Sequence, residues 1–382
     1  MAEIAVRDLW IERGSASFGF DRLSARLFDS TRAGPYLLIG AVVLVHLPLL
    51  SVVGWLQTGV LSIAVNPGEV FQVIAWPAVV WITLRTKATY ETAINDLPDA
   101  DDPDTEALDL EGSISERLLD LIGIPAAPSG KANAGLEVLA HARVRYAVLS
   151  IGLALYGVQL LTNFAGLVGP VAALTGRPVA LVRFTVVIPF VLYPIGAEFL
   201  TVVIGALVVL PFKIERASLI DFSDPHGFAG LSPAGTLFKN VAVSYFILLT
   251  LFALFQTVAT GTSPTDLSSS VLLLTGVALG VALFVGPMAR IKSYLASAKA
   301  AKIDALAEAV RRVGSTDELF PYAEPESIDD TSQYTYNHIR MQRVQSTSEL
   351  PLNFGMLREF LFALFLPYAS SVVFEYFLGY VI

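Results

Sequence analysis

The chain has no cysteine, little lysine and few charged residues of either sign, and each shortage excludes something. Without cysteine there is no disulfide, thiolate nucleophile, iron–sulfur cluster or thiolate zinc site, and the redox compartment cannot be read from thiol usage. Neither an H-E-x-x-H zinc-protease motif nor a P-loop occurs. The last apolar run, residues 360–382, lacks the lysine that a retinal protein needs. Only one histidine, His46, falls in an apolar run, so a paired-histidine haem site is not expected. Basic residues are outnumbered 34 to 25, for a net charge of −9, and no basic surface for nucleic acid is expected. No cofactor and no metal site are expected, and an enzyme is disfavoured. The acidic excess fits either a halophilic protein, kept soluble in strong salt by its carboxylates, or an ordinary acidic loop.

What the chain has in abundance is apolar sequence. Hydrophobic residues make up 54% and charged residues 15%, whereas soluble domains carry about 25% charged residues. Crossing the hydrocarbon takes roughly 20 apolar residues in a helix, and runs of about that length occur at 36–56, 146–167, 181–212, 241–258, 270–288 and 360–382. A run at 65–84 is broken by Asn66-Pro67-Gly68-Glu69 and by Pro77, which fits a short or re-entrant helix.

These runs predict an all-α, polytopic membrane helical bundle of about seven spans, three hairpins and a final span, with cytoplasmic helical extensions. Lysine and arginine cluster in alternate connections, and the intervening ones hold at most Arg177. The positive-inside rule then puts the amino terminus in the cytoplasm and the carboxy terminus outside. The expected divisions are an amino-terminal cytoplasmic or interfacial segment (1–35), a first membrane hairpin (36–86) and an acidic cytoplasmic segment (87–142). Two further hairpins (143–289) enclose a cytoplasmic loop (213–239). A helical extension and linker (290–357) and a final span (358–382) follow.

Residues 1–31 are charged throughout and do not read as a secretory signal. Phe20, Leu23, Leu27 and Phe28 share a helical face beside Arg22, Arg26 and Arg32, which fits a helix lying in the bilayer interface, with a frayed polar tail as the alternative. Ser113 and Glu116 form a capping-box pattern ahead of Leu118, Leu119 and Ile122, and a further helix is expected over 134–145. Beyond the sixth span, the alanine- and lysine-rich sequence has no breaker before Gly314. Its stripe of Ile291, Leu295, Ile303, Leu306 and Val310 calls for a packing partner, either in the same chain or in another copy.

Glu198 is the foremost candidate site residue, because a charge within a span costs at least about 2.5 kcal/mol and normally faces the bundle interior. Pro189 and Pro194 break the same helix and free carbonyls, an irregularity tolerated where it is buried or lines a cavity. His46, Gln159 and Asn163 would add polar lining, or merely hold helices together. Arg183 and Glu375 are an expected charge pair in the outer leaflet, with snorkelling as the alternative for Arg183. After the fourth span, Asp221, Asp224, Pro225, His226 and Gly227 read as a structural loop: D-P-H-G has the aspartate, proline and glycine positions of a type I turn.

The stretch D-P-H-G-F-A-G-L, with the apolar span and the alanine/lysine-rich helix after it, resembles a group of prokaryotic, including haloarchaeal, multi-pass membrane proteins with a D-P-[DH]-G-x-x-G-L-like loop. The resemblance covers about residues 221–312 and implies topology, with no activity. The residues themselves point to an ion or small-solute channel or transporter with Glu198 in its pathway. The alternative is a non-transporting membrane scaffold or sensor whose cytoplasmic segments bind a partner. The lipid bilayer is the expected partner in both cases, and self-association is an open reading.

Overall fold

In the computed structural model, residues 4–61, 67–98, 135–224, 227–260, 267–313, 328–349 and 354–381 are described. Every regular element among them is a helix. The expected capping-box helix at 113–122 lies outside the described residues, as do Pro225 and His226.

Two short helices, α1 (Trp10–Ser17) and α2 (Phe20–Phe28), precede α3 (Gly34–Thr58). Pro35 sits in the first turn of α3, where its missing N–H costs nothing, and Gly59 closes the helix with φ +73° and its N–H on the Trp55 carbonyl. Helix α4 (Pro67–Asp96) follows, then α5 (Ala142–Thr162) and α6 (Phe164–Thr175). A continuous helical run, α7 (Arg177–Arg216), leads to α8 (Ser232–Thr260), α9 (Leu267–Val313), α10 (Ile328–Ser346) and α11 (Phe354–Val381).

Five described helices are long and apolar enough to cross a membrane, those within Thr31–Thr58, Ala142–Thr162, Arg177–Arg216, Ser232–Phe255 and Leu273–Arg311. Of the apolar runs 65–84 and 360–382, residues 67–84 and 360–381 are helical within α4 and α11, which are not among those five.

Helices α7 and α9 are much longer than a bilayer is thick. At 1.5 Å per residue, the 40 residues of α7 extend about 60 Å and the 47 of α9 about 70 Å, against roughly 30 Å of hydrocarbon. Protein covers much of α7: 72% of its most apolar 18-residue stretch is buried, against 6% for α5. Helix α5 is therefore peripheral, with Leu155 and Leu161 exposed, whereas α7 runs through the core.

Proline explains how α7 stays helical yet irregular. The turns widen to π geometry over Arg183–Leu192, around Pro189, and again over Gly205–Val209. Proline removes a backbone donor and crowds the preceding turn, and a π turn is one way to absorb that. Tyr156 on α5 supplies a replacement donor, its hydroxyl lying 2.6 Å from the Phe184 carbonyl.

The central helix is α8. Its Phe238, Val241, Ala242 and Phe246 are almost fully buried against α4, α9 and α11. Phe246 meets Phe360 of α11 edge-on at 5.8 Å, and Phe360 stacks on Phe284 of α9 at 4.0 Å. Gly276 and Gly280 bring α9 close to α8: a β-carbon at either would lie 2.7 Å from a side chain of Leu249 or of Tyr245 and Phe246. Small residues at helix contacts are the usual device where lipid offers no hydrophobic drive for association.

One sequence expectation fails here. Residues 135–141 were expected to continue a helix over 134–145, but they form turns, and α5 starts at Ala142. The segment is pulled out of helical geometry because Leu136 and Leu139 are fully buried and its carbonyls find donors elsewhere. Lys213 donates to Gly135 O (2.8 Å) and Val138 O (2.7 Å), and the Tyr90 hydroxyl donates to Leu136 O (2.9 Å). The Leu139 carbonyl lies so close to Gly205 that no β-carbon fits there.

The apolar stripe of residues 291–310 finds a packing partner in the same chain. Helix α9 runs unbroken to Val313 and packs on α10, with Leu306, Met341 and Val344 buried together. Lys299 fixes the end of this hairpin through the Thr347 carbonyl at 2.9 Å.

Candidate functional site

Glu198 lies near the middle of α7 and is 2% exposed. Its carboxylate is held by a two-pronged contact from Arg145, Nε to Oε2 at 2.5 Å and Nη2 to Oε1 at 2.9 Å. The backbone N–H of Trp10, at the start of α1, donates to Oε1 at 2.8 Å. Such forked, charge-assisted pairs are stronger than neutral hydrogen bonds and fix orientation as well. Arg145 stands in the first turn of α5, so Glu198 is level with the beginning of that span and not with its centre. The depth inferred from the apolar run 181–212 changes because α7 continues well past the level at which α5 begins.

The amino-terminal strap, residues 4–12, completes this junction. Ile4 N–H donates to Asn95 Oδ1 at 2.8 Å and Val6 N–H to Glu91 Oε1 at 3.1 Å, while Arg7 N–H reaches Glu137 O at 2.9 Å. Lys87 bridges Glu12 (2.7 Å) and Asp8 (3.3 Å). Glu12 also reaches back to the Leu9 N–H, so one carboxylate caps α1 and ties it to α4. Val6, Leu9 and Ile11 bury their side chains beneath these contacts. Glu215 is also paired with an arginine: Arg290 Nη2 and Nε both donate to its Oε2, at 2.6 and 2.8 Å.

His141 sits at the edge of this region, 7% exposed, with Nε2 enclosed and without a hydrogen-bond partner. Burial first, then the neighbouring Lys213 and Arg7 charges, lower its pKa to about 3, against a weaker opposing hydrogen bond with Val138. It is a neutral imidazole at ordinary pH.

On the other face of α4, Arg85, Thr89, Thr92 and Asp96 share one side of the helix. They face Ser232, Thr236 and Asn240 of α8 across a cleft of about 760 Å³ that Asp224 and Gly230 also line. The loop forming that end is held by its own side chains. Gly227 N–H donates to the Asp224 carbonyl at 3.2 Å, and Asp224 Oδ2 accepts from Gly230 N–H at 2.9 Å and Phe228 N–H at 3.3 Å. Asp221 Oδ1 accepts from Ser223 N–H at 2.7 Å. Gly227 and Gly230 take φ of +73° and +76°, a conformation that favours glycine.

Gln159 and Asn163 do not join Glu198. Both are exposed, in the last turn of α5 and just past it, where the chain turns into α6. They do not line an interior. Arg183 is buried, 8% exposed. Pro189 lies in the first π stretch, and Pro194 begins the regular helix that carries Glu198. His46 falls in α3 and Glu375 in α11, and their side chains lie outside what is described. Among the described residues no group of three or more histidine, aspartate or glutamate side chains is placed to hold a metal ion.

Sequence reasoning missed Arg145, Lys213, Lys87 and the strap. Arg145 and Lys213 carry a faint signal, a cation immediately flanking one end of an apolar run. The strap carries none, because its contacts are largely backbone.

The five apolar helices make the chain a multi-pass membrane protein embedded in a lipid bilayer. No protein-family model, curated relative or solved structure matches it.

Proposed function

We propose that this protein is a membrane scaffold or sensor, whose spans hold a cytoplasmic helical body that binds a partner or a polar solute. The observation that carries this reading is the closure of Glu198. A carboxylate that serves an ion path must exchange partners with the passing ion or with water. Both oxygens of Glu198 are instead committed to Arg145, and one also to Trp10 N–H, at 2% exposure. A cleft with polar side chains on both walls lies elsewhere, between α4 and α8.

The seven-span topology with a cytoplasmic amino terminus belongs to the same reading. It is supported by the packing of α4 and α11 along α8 and by the basic residues at one set of helix ends. The loop resemblance adds a proposal of shared topology. A transport reading retains one observation, the widened turns of α7 around Pro189.

One experiment separates the two. Purified protein is reconstituted into liposomes under proton, sodium, potassium and small-solute gradients. The scaffold reading expects flux equal to that of protein-free vesicles. Flux above that level, falling in a Glu198→Gln variant that still elutes as folded protein, would establish transport and overturn the proposal.

A further inference from the structure

Helix α2 is built to be covered, and nothing within the described chain covers it. Its inner side is fixed: Ser24 is fully buried and its hydroxyl donates to the Ser30 carbonyl, while Asp21 accepts from Ser15. Asp21 and Ser15 press so closely on Gly34 that a β-carbon there would collide with both. The outer side carries Leu23, Leu27 and Phe28, with Phe18 just before it, exposed by 42, 60, 59 and 76%. Arg22 and Arg26 lie one turn apart beside the Leu23–Leu27 stripe, and Arg32 follows; all three are exposed.

We infer that α2 docks on the surface of an anionic bilayer, its apolar stripe at the acyl boundary and its arginines on lipid phosphates. This rests on the chain being embedded in a membrane, not on the scaffold reading. Two observations choose lipid over a second protein. The first is continuity. Only Asp29 and Ser30 separate α2 from the apolar helix Thr31–Thr58, and three residue steps reach at most about 11 Å. The face is thus held beside the end of a membrane helix. The second is charge and its placement: arginines flanking an apolar stripe match a helix lying in the interface, where guanidinium groups reach phosphate while leucine and phenylalanine sink past it. Of the two acids, Asp21 is turned inward, and Asp29, exposed at the helix end, subtracts one charge.

The absence of native cysteine makes the test direct. Leu27→Cys, at an exposed position, is labelled with an environment-sensitive fluorophore in the full-length protein. The protein is placed in vesicles of phosphatidylcholine alone or with about a third phosphatidylglycerol. In anionic vesicles the label should shift to shorter wavelength and be quenched by lipids brominated near the headgroup. The docked population relative to the free one should fall about fivefold for each arginine removed, so that Arg22→Gln/Arg26→Gln/Arg32→Gln behaves in anionic vesicles as the parent does in neutral ones. A label open to aqueous iodide in both compositions overturns the docking. Equal burial in both, unaffected by the triple substitution, overturns the recognition of charge. Self-quenching that grows with the protein-to-lipid ratio assigns the face to a second copy and overturns the inference as well.

Discussion

Arg145 and Glu198 stand 53 residues apart in the chain and share two hydrogen bonds, one at each carboxylate oxygen. This pair joins the start of α5 to the middle of α7, and the Trp10 N–H adds the amino-terminal strap to the same carboxylate. A charge that looks expensive in an apolar run is therefore a fastening between three parts of the chain.

Removing one partner from such a pair strands the other charge. Glu198→Met and Arg145→Met should each destabilise the protein by about 3–5 kcal/mol, while Arg145→Met/Glu198→Met should cost much less than the two single changes together. Denaturant unfolding in detergent, run as a double-mutant cycle, reads the coupling. Additive costs would show that the pair is not a unit.

Two glycines of α7 should respond in opposite directions to alanine. At Gly205 a β-carbon collides with the Leu139 carbonyl, whereas nothing lies within 4 Å of one at Gly196. Gly196→Ala should be neutral or stabilising by up to about 1 kcal/mol from helix propensity. Gly205→Ala should destabilise by about 1–3 kcal/mol, the usual cost of overpacking. Thermal midpoints in one detergent compare them directly.

The turn at 135–141 depends on donors from two helices. Lys213→Met removes a donor from two part-buried carbonyls, Gly135 O and Val138 O, and Tyr90→Phe removes one from Leu136 O, at about 1–3 kcal/mol for each group left stranded. Lys213→Met should be the more damaging. Hydrogen exchange at residues 135–141 should rise in both variants, and most strongly in that one.

His141 supplies an acid-dependent loss of stability. Its folded pKa, lowered to about 3, lies below the ordinary value near 6.5, so the unfolded chain binds the proton first. Stability is fully present above pH 6.5 and declines as pH falls from there toward 3. His141→Phe should remove that part of the decline. Unfolding curves between pH 7 and 4 should then be flatter for the variant than for the parent. Parallel curves would show that the imidazole is already free to take a proton in the fold.

The sequence by itself determined the solvent of this protein and the material of its fold. Apolar runs of membrane length admit little other than helices, because backbone groups in lipid must be satisfied within the segment. The continuation of α9 beyond its apolar part was legible too, since no residue between Met288 and Val313 stops a helix. The bonds from Asp221 and Asp224 side chains to nearby backbone N–H groups are of a kind that aspartate favours in turns.

Tertiary structure alone decided the meaning of Glu198. An apolar run shows that a carboxylate is costly, but the run of α7 extends from lipid-facing sequence into a protein core equally rich in leucine and valine, and composition does not mark where one ends. The level of Glu198 is set by Arg145 on another helix. The strap was invisible for a related reason: five of its contacts use backbone N–H groups of Ile4, Val6, Arg7, Leu9 and Trp10, which every non-proline residue possesses. Side-chain pattern records what a segment buries, and only the packed chain shows which groups its backbone meets.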